Sequence, residues 1–145
     1  MTENENTKFF SNQIYCQNSD VHGRGVFANR LFTQDEIIEV FPLVPLAFRT
    51  RYQGDFGIFS YCFVNDACPC EECKRHGNVI YLGMGYSAAY NHQDEPNAVM
   101  NIDYSKLVGT VQASRNIEKD SEIFIRYKHT DLFAQGKVML HDSNS

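Results

Sequence analysis

Four potential metal ligands lie within nine residues of each other in the middle of the chain. They are three cysteines and one histidine, Cys68, Cys70, Cys73 and His76. Cysteine thiolates and imidazole nitrogens are ligands that Zn²⁺ prefers, and four of them in a tetrahedron form a structural site. The spacing predicts a structural zinc ion bound by these four side chains, with Cys62 as an alternative fourth ligand. A loop of reduced, metal-free thiols is the other interpretation.

Three further motifs have side chains suited to binding or chemistry. In the first, Gly23-Arg24-Gly25, two glycines flank one residue and let the backbone approach a ligand closely. It is not a dinucleotide-binding fingerprint, because the third glycine and the following helix are missing. The second is the polar stretch 91–97, Asn-His-Gln-Asp-Glu-Pro-Asn, and the third is the run 122–127, which ends in Tyr127. Each motif taken alone is more typical of an ordinary turn or strand than of a binding site.

The elements that must position these motifs are short and mostly extended. The chain has 145 residues, of which 43% are apolar and 13% aromatic, so it can build one core. Short β-prone runs alternate with turn residues, and the runs 98–102 and 106–113 predict a hairpin. Residues 68–77 have the composition of a loop. We predict a flexible tail over 1–10 and a single, mostly β domain over 11–145, with a cysteine-rich insert at about 62–77.

In this order, the glycine turn, the Asn-His stretch and the strand ending in Tyr resemble the SET-domain protein-lysine methyltransferases. The phrase 117–123 is similar to that family's Ile-x-x-Gly-Glu-Glu-Ile turn, and 84–90 is similar to its run into Asn-His. The resemblance covers residues 13–128 and is strongest to compact, small viral-type SET domains. It implies a β-clip-like SET fold of several short sheets, with a knot-like C-terminal crossing and little helix.

The resemblance also implies a function and a set of site residues. Members of the family transfer a methyl group from S-adenosylmethionine to a lysine side chain of a protein. Tyr127 matches the catalytic tyrosine, and Tyr86 and Ile125 are expected to line the substrate channel. The residues expected to bind the cofactor are Gly23, Arg24, Gly25, Asn91 and His92. Because the chain lacks the family's cysteine-rich tail, Phe133 is our own candidate for the residue that covers the cofactor.

Three departures from the family pattern keep a second interpretation open. Gln93 stands where the family has Ser, and Lys128 stands where Gly follows the catalytic Tyr. The family's cysteine-rich tail is absent, since no cysteine follows Cys73. The alternative is a catalytically weak or inactive SET-like domain that binds a peptide or partner protein and carries a structural zinc. A zinc-stabilised interaction module whose motifs are purely structural is a third interpretation.

The net charge and the composition limit the classes of partner that the chain can bind. The formal net charge of −5 argues against a nucleic-acid binder, whose affinity would rest on a basic face. It is compatible with a basic protein or peptide substrate carrying the target lysine, such as a histone tail. No run approaches the roughly 20 apolar residues of a membrane span. We expect an intracellular protein, nuclear if it acts on chromatin and cytoplasmic if bacterial; homodimerisation is left open.

Overall fold

The computed structural model describes residues 8–11, 13–59 and 61–127. Short strands dominate this part of the chain and helices are few, which confirms the predicted mostly β architecture. The strands are β1 (Ile14–Asn18), β2 (Arg24–Ala28), β3 (Ile37–Phe48), β4 (Phe63–Val64), β5 (Val79–Gly83), β6 (Asn91–His92), β7 (Ala98–Asp103), β8 (Val108–Ala113) and β9 (Glu122–Ile125). The helices are α1 (Phe56–Phe59), α2 (Glu71–His76) and a 3-10 turn at Arg49–Arg51. None of the described helices is long and apolar enough to cross a membrane.

The chain divides into two compact units. The first comprises residues 1–44 and 83–126, and the second comprises residues 45–82 and 127–145. Strand β3 begins in the first unit and ends in the second. The expectation of a single domain over 11–145 stays a prediction.

In the first unit, one sheet brings distant parts of the chain side by side. Its strand order is β1-β2-β9-β6. Strands β1 and β2 form an antiparallel hairpin, β2 pairs antiparallel with β9, and β6 lies parallel to β9. Parallel neighbours cannot be joined by a tight turn, so β6 and β9 must come from separate stretches of sequence. This pairing sets the Asn-His motif beside the last strand.

Strand β9 separates a buried face from a half-buried face. Ile123 and Ile125 are buried, whereas Glu122 and Phe124 are half-buried on the opposite face. Successive side chains of a strand point to opposite faces, so this alternation follows directly from the sequence. Buried Val26 lies opposite Ile123 in the pairing of β2 with β9. The outer face of the strand is therefore free to carry polar groups.

The predicted hairpin over 98–113 is confirmed, and it extends a second sheet. Strand β7 pairs antiparallel with β8, and β8 pairs antiparallel with β3, with a register shift between Ile37 and Glu39. Gly109 of β8 lies opposite Phe41, where an added Cβ would overlap the buried ring. Glycine is required at that position because Phe41 occupies the space.

The second unit holds the cysteine-rich segment, and here the sequence prediction of a loop over 68–77 is wrong. Helix α2 lies within it, because its ends are well capped. The Sγ of Cys70 accepts a hydrogen bond from the Cys73 N–H (3.4 Å), and Gly77 ends the helix in the left-handed region (φ 82°), donating to the Cys73 carbonyl (2.8 Å). Two glutamates in its first turn and three basic residues in its last turn also stabilise the helix, because their charges interact favourably with its dipole.

Candidate functional site

The side-chain amide of Asn91 holds the glycine turn in place. Strand β6 is adjacent to β9 and β9 to β2, so Asn91 lies beside the loop that joins β1 to β2. Its Nδ2 donates to the carbonyl oxygens of His22 (3.0 Å) and Arg24 (3.2 Å) and to the Oε2 of Glu122 (2.8 Å). Gly23 lies in the left-handed region (φ 51°), which turns the two flanking carbonyls toward this one nitrogen.

These contacts leave hydrogen-bond acceptors in excess. An amide nitrogen has two hydrogens, whereas three oxygen atoms lie within 3.2 Å of the Asn91 Nδ2. One acceptor therefore has the capacity to take a hydrogen from another donor. An ammonium group with three N–H donors and a positive charge matches two carbonyls and a carboxylate. The residues around the turn fit the amino-acid end of S-adenosylmethionine in this chemical sense.

Glu122 is a member of this site that sequence reasoning missed. Its Oε1 accepts a hydrogen bond from the Ser19 hydroxyl (2.7 Å), and its Oε2 accepts from the Asn91 amide. The carboxylate is thereby fixed against the glycine turn. The available signal was its position in β9, where it alternates with buried isoleucines and so must lie on the outer face.

Gly25 is needed because Glu122 and Asn91 fill the space above it. A Cβ added to the buried Gly25 would overlap the Glu122 carboxylate and lie 3.0 Å from the Asn91 Nδ2. Both atoms belong to side chains that can rotate away. Substitution should therefore displace the polar site more than it destabilises the fold.

We expect Gly25→Ala to weaken S-adenosylmethionine binding by about tenfold, which corresponds to about 1.4 kcal/mol, with a small change in melting temperature. The methyl group pushes aside the two side chains that line the turn. Gly109→Ala is the matched contrast, since its Cβ meets the buried Phe41 ring. That variant should lose about 1–3 kcal/mol of stability through overpacking but keep its cofactor affinity. Unchanged S-adenosylmethionine affinity in Gly25→Ala would contradict binding of the cofactor's amino-acid end at this turn.

The stretch that contains Asn91 is also tied to β9 by its last residue. The buried Asn97 side chain donates to the Glu122 carbonyl (3.0 Å) and accepts from the Phe124 N–H (2.8 Å). The Gln93 N–H donates to the Ile125 carbonyl (3.0 Å). Gln93 departs from the family pattern, yet this bond is made by its backbone and does not depend on its side chain.

The remaining predicted site residues occupy varied environments. His92 follows Asn91 in β6, and its Nε2 lies 2.9 Å from the Oδ1 of Asp94. Ile125 is buried with the core side chains of β9, while Tyr127 follows the end of that strand and is half-buried. The expected channel role of Ile125 and the catalytic role of Tyr127 stay predictions.

Phe133 and Lys128 lie outside the described residues. The expected cover over the cofactor and the effect of lysine after the catalytic tyrosine therefore also stay predictions.

A buried carboxylate anchors the segment that leads into Asn91. Glu39 is fully buried, and its two oxygens accept hydrogen bonds from the Tyr90 hydroxyl (2.6 Å) and the Tyr86 N–H (2.8 Å). Gly85 precedes this segment in the left-handed region (φ 64°), where a Cβ would overlap the Glu39 carboxylate. Burial raises the pKa of Glu39 above its ordinary value and raises the pKa of Tyr90. Tyr86, predicted to line the channel, is held here through its backbone and is half-buried.

In the second unit, the structure brings the three predicted cysteine ligands together. The Sγ atoms of Cys68, Cys70 and Cys73 all lie within 4.8 Å of one another, close enough to hold one metal ion. Cys73 is buried, Cys68 is half-buried and Cys70 is exposed. Hydrogen bonding by the Cys73 N–H lowers the pKa of Cys70, and burial raises the pKa of Cys73 to about 11.

The structure does not bring His76 into this group. Its Nε2 lies 3.1 Å from the Nη2 of Arg51 and 3.6 Å from a carboxylate oxygen of Glu72. Its ring packs on Phe48 with 5.2 Å between ring centroids. The alternative ligand, Cys62, is also outside the group, and its Sγ lies 3.4 Å from the Ile58 carbonyl oxygen.

Comparisons with known proteins agree with the motif order. A family model described as the SET domain matches residues 23–128. The crystal structure of a "putative histone methyltransferase" of Plasmodium falciparum is 30% identical, with a TM-score of 0.61, covering 81% of this chain and 94% of that chain. No curated protein sequence matches.

A structure of ctPRC2 in complex with H3K27me3 and H3K27M is 20% identical to this chain, with a TM-score of 0.57. The match covers 79% of this chain and 14% of that chain, and at this identity it shows the fold alone. The family match spans most of the described chain and includes the glycine turn, the Asn-His stretch and Tyr127. The chain therefore belongs to the SET domain family, whose members are typically protein-lysine methyltransferases.

Proposed function

We propose that the chain uses S-adenosylmethionine to methylate a lysine side chain of another protein. The observation that carries the proposal is the group of three acceptors around the Asn91 amide, two carbonyls of the glycine turn and the Glu122 carboxylate. Such a group is suited to an ammonium, and the amino-acid end of S-adenosylmethionine carries one. Membership of the SET family makes this cofactor the expected occupant.

When bound, S-adenosylmethionine would supply the methyl group on a positively charged sulfur. The His22 and Arg24 carbonyls of the glycine turn and the Glu122 carboxylate would accept hydrogen bonds from the ammonium, and the Asn91 amide, which donates to all three, would hold these acceptors in place. His92 would be oriented by its contact with Asp94. These residues bind and orient; none of them forms a covalent bond in the proposed reaction.

The lysine amine must be neutral and correctly aimed for transfer. Free lysine has a pKa near 10.4, and apolar surroundings favour its neutral form. Tyr86 and Ile125 are our candidates for apolar walls of the channel. The Tyr127 hydroxyl, which can both donate and accept, would orient the amine and stabilise charge during transfer. Much of the acceleration would come from this orientation.

We further propose a basic protein segment such as a histone tail as the substrate. The net charge of −5 favours encounter with Lys- and Arg-rich peptides. The Plasmodium falciparum protein is described as a "putative histone methyltransferase", and the ctPRC2 structure is of a complex with H3K27me3 and H3K27M. Both similarities concern those proteins and serve here only to choose the first substrates to test.

The test is S-adenosylmethionine binding by calorimetry to the wild type, Asn91→Ala and Asn101→Ala. Asn91→Ala removes the donor that holds the turn and is expected to weaken binding at least tenfold, about the value of one charge-assisted hydrogen bond. Asn101 is exposed on β7 and serves as the matched control, with unchanged affinity. A wild type that binds no cofactor, with or without histone H3 peptide, would overturn the proposal.

Gln93 and Lys128 favour one alternative, a SET-like domain that binds a peptide without turnover. The same proteins separate the two functions when methyl transfer to histone H3 peptides is followed by mass spectrometry. Cofactor binding together with transfer supports the enzyme. Cofactor or peptide binding without transfer to any histone or lysate protein supports the binding module.

A further inference from the structure

We infer that Cys68, Cys70 and Cys73 bind one Zn²⁺ ion whose fourth ligand is water and not His76. The site lies entirely within the second unit and does not depend on the proposed methyl transfer. It differs from the four-ligand site that the sequence alone suggests, because the histidine is engaged elsewhere.

The three sulfur atoms are already gathered at metal-binding spacing. All pairs of Sγ atoms among Cys68, Cys70 and Cys73 lie within 4.8 Å, and all three cysteines are free thiols. Zinc–thiolate bonds are about 2.3 Å long, so sulfurs bound to one tetrahedral zinc lie about 3.8 Å apart. The present spacing is therefore at most about 1 Å wider than that of ligating sulfurs. Soft thiolates select Zn²⁺ over the hard cations Mg²⁺ and Ca²⁺.

Local backbone structure fixes each cysteine. Cys70 caps helix α2, and Cys73 lies in that helix with its N–H directed at the Cys70 sulfur (3.4 Å). On the other side, the Asn78 side-chain amide donates to the carbonyls of Asn65 (2.7 Å) and Cys68 (3.4 Å). The three ligands are thus oriented by contacts that do not involve a metal.

His76 is held away from the sulfurs by contacts on several sides. Its Nε2 contacts Arg51 and Glu72, and its ring packs on Phe48. Its carbonyl accepts a hydrogen bond from the Thr50 hydroxyl (3.0 Å), which fixes the backbone as well. Recruiting the ring would break these contacts together. A water molecule at the exposed side, where Cys70 is accessible, requires no such rearrangement.

The first experiment measures metal in the protein purified under reducing conditions. We expect one zinc per chain after dialysis against a weak chelator, and the same ratio on titrating apoprotein with Zn²⁺. Cys70→Ser and Cys73→Ser should each reduce retained zinc at least tenfold. Cys70 is exposed, so its variant tests ligation even where Cys73→Ser fails to fold. Cys16→Ser, an exposed cysteine outside the cluster, should retain the full metal content.

Cobalt substitution tests the fourth ligand. Co²⁺ in a thiolate site gives charge-transfer bands. The intensity of these bands in His76→Ala should equal that in the wild type. Added imidazole should shift the visible bands of both proteins, because a water ligand is exchangeable. Loss of zinc or a changed cobalt spectrum in His76→Ala would overturn the three-cysteine assignment. A wild type that retains and binds no zinc would overturn the site altogether.

Discussion

Tyr127→Phe is expected to slow methyl transfer by on the order of 10²–10³-fold while leaving cofactor affinity unchanged. Removing one oriented hydrogen-bonding group from the reacting centre has an effect of this size in other enzymes. The phenyl ring keeps the shape and packing of the half-buried side chain, so the loss can be assigned to the hydroxyl. The measurement is single-turnover transfer to a histone H3 peptide, with S-adenosylmethionine affinity determined on the same preparation.

Tyr15→Phe is the matched control for this change. Its hydroxyl donates to the Oδ1 of Asp120 (2.9 Å) at an exposed position, and its ring stacks on Phe27. Removing that hydroxyl should leave the transfer rate unchanged, since an exposed hydrogen bond contributes little. Equal rates in wild type and Tyr127→Phe would show that the family's catalytic tyrosine is not used here.

Glu39→Ala is expected to destabilise the protein by about 3 kcal/mol and to weaken cofactor binding. The substitution leaves the Tyr90 hydroxyl and the Tyr86 N–H without their acceptor in the interior, and it opens a cavity. The segment from Tyr86 to Tyr90 leads directly into Asn91. Greater mobility of this segment should therefore displace Asn91 and the glycine turn that it holds. Urea unfolding and calorimetry measure the two effects. Glu118→Ala, at an exposed position, should change stability by less than about 0.5 kcal/mol.

The pH dependence of stability gives Glu39 a separate signature. Burial raises its pKa in the folded protein above the ordinary value of 4.5. Between these two pKa values the folded state holds a proton that the unfolded state has released, so this residue's contribution to stability falls as pH rises through that window. Above the folded pKa the contribution becomes constant. The decline should be absent in Glu39→Ala, and an identical slope in both proteins would contradict the buried role of this carboxyl.

The sequence alone determined the family, the mostly β fold and the hairpin formed by β7 and β8. These properties follow from local patterns: the types and order of residues in the motifs, and the alternation of turn residues with β-prone runs. The closeness of the three cysteines was also predictable, because they lie within six residues and their spacing restricts the geometry. The family model and the closeness of the three sulfurs agree with those predictions.

Only the tertiary structure decided the roles of Glu39, Glu122 and His76. Glu39 meets Tyr90 across 51 residues, and Glu122 meets Asn91 across 31 residues. Neither pairing can be read from the local sequence, because a glutamate in a strand of alternating residues has the same pattern whether its side chain meets solvent or a partner. His76 has metal-ligand spacing from Cys73, but its ring direction depends on Arg51, which lies 25 residues away. Local sequence specifies which groups are present, and the packing of distant segments selects the partner that each group meets.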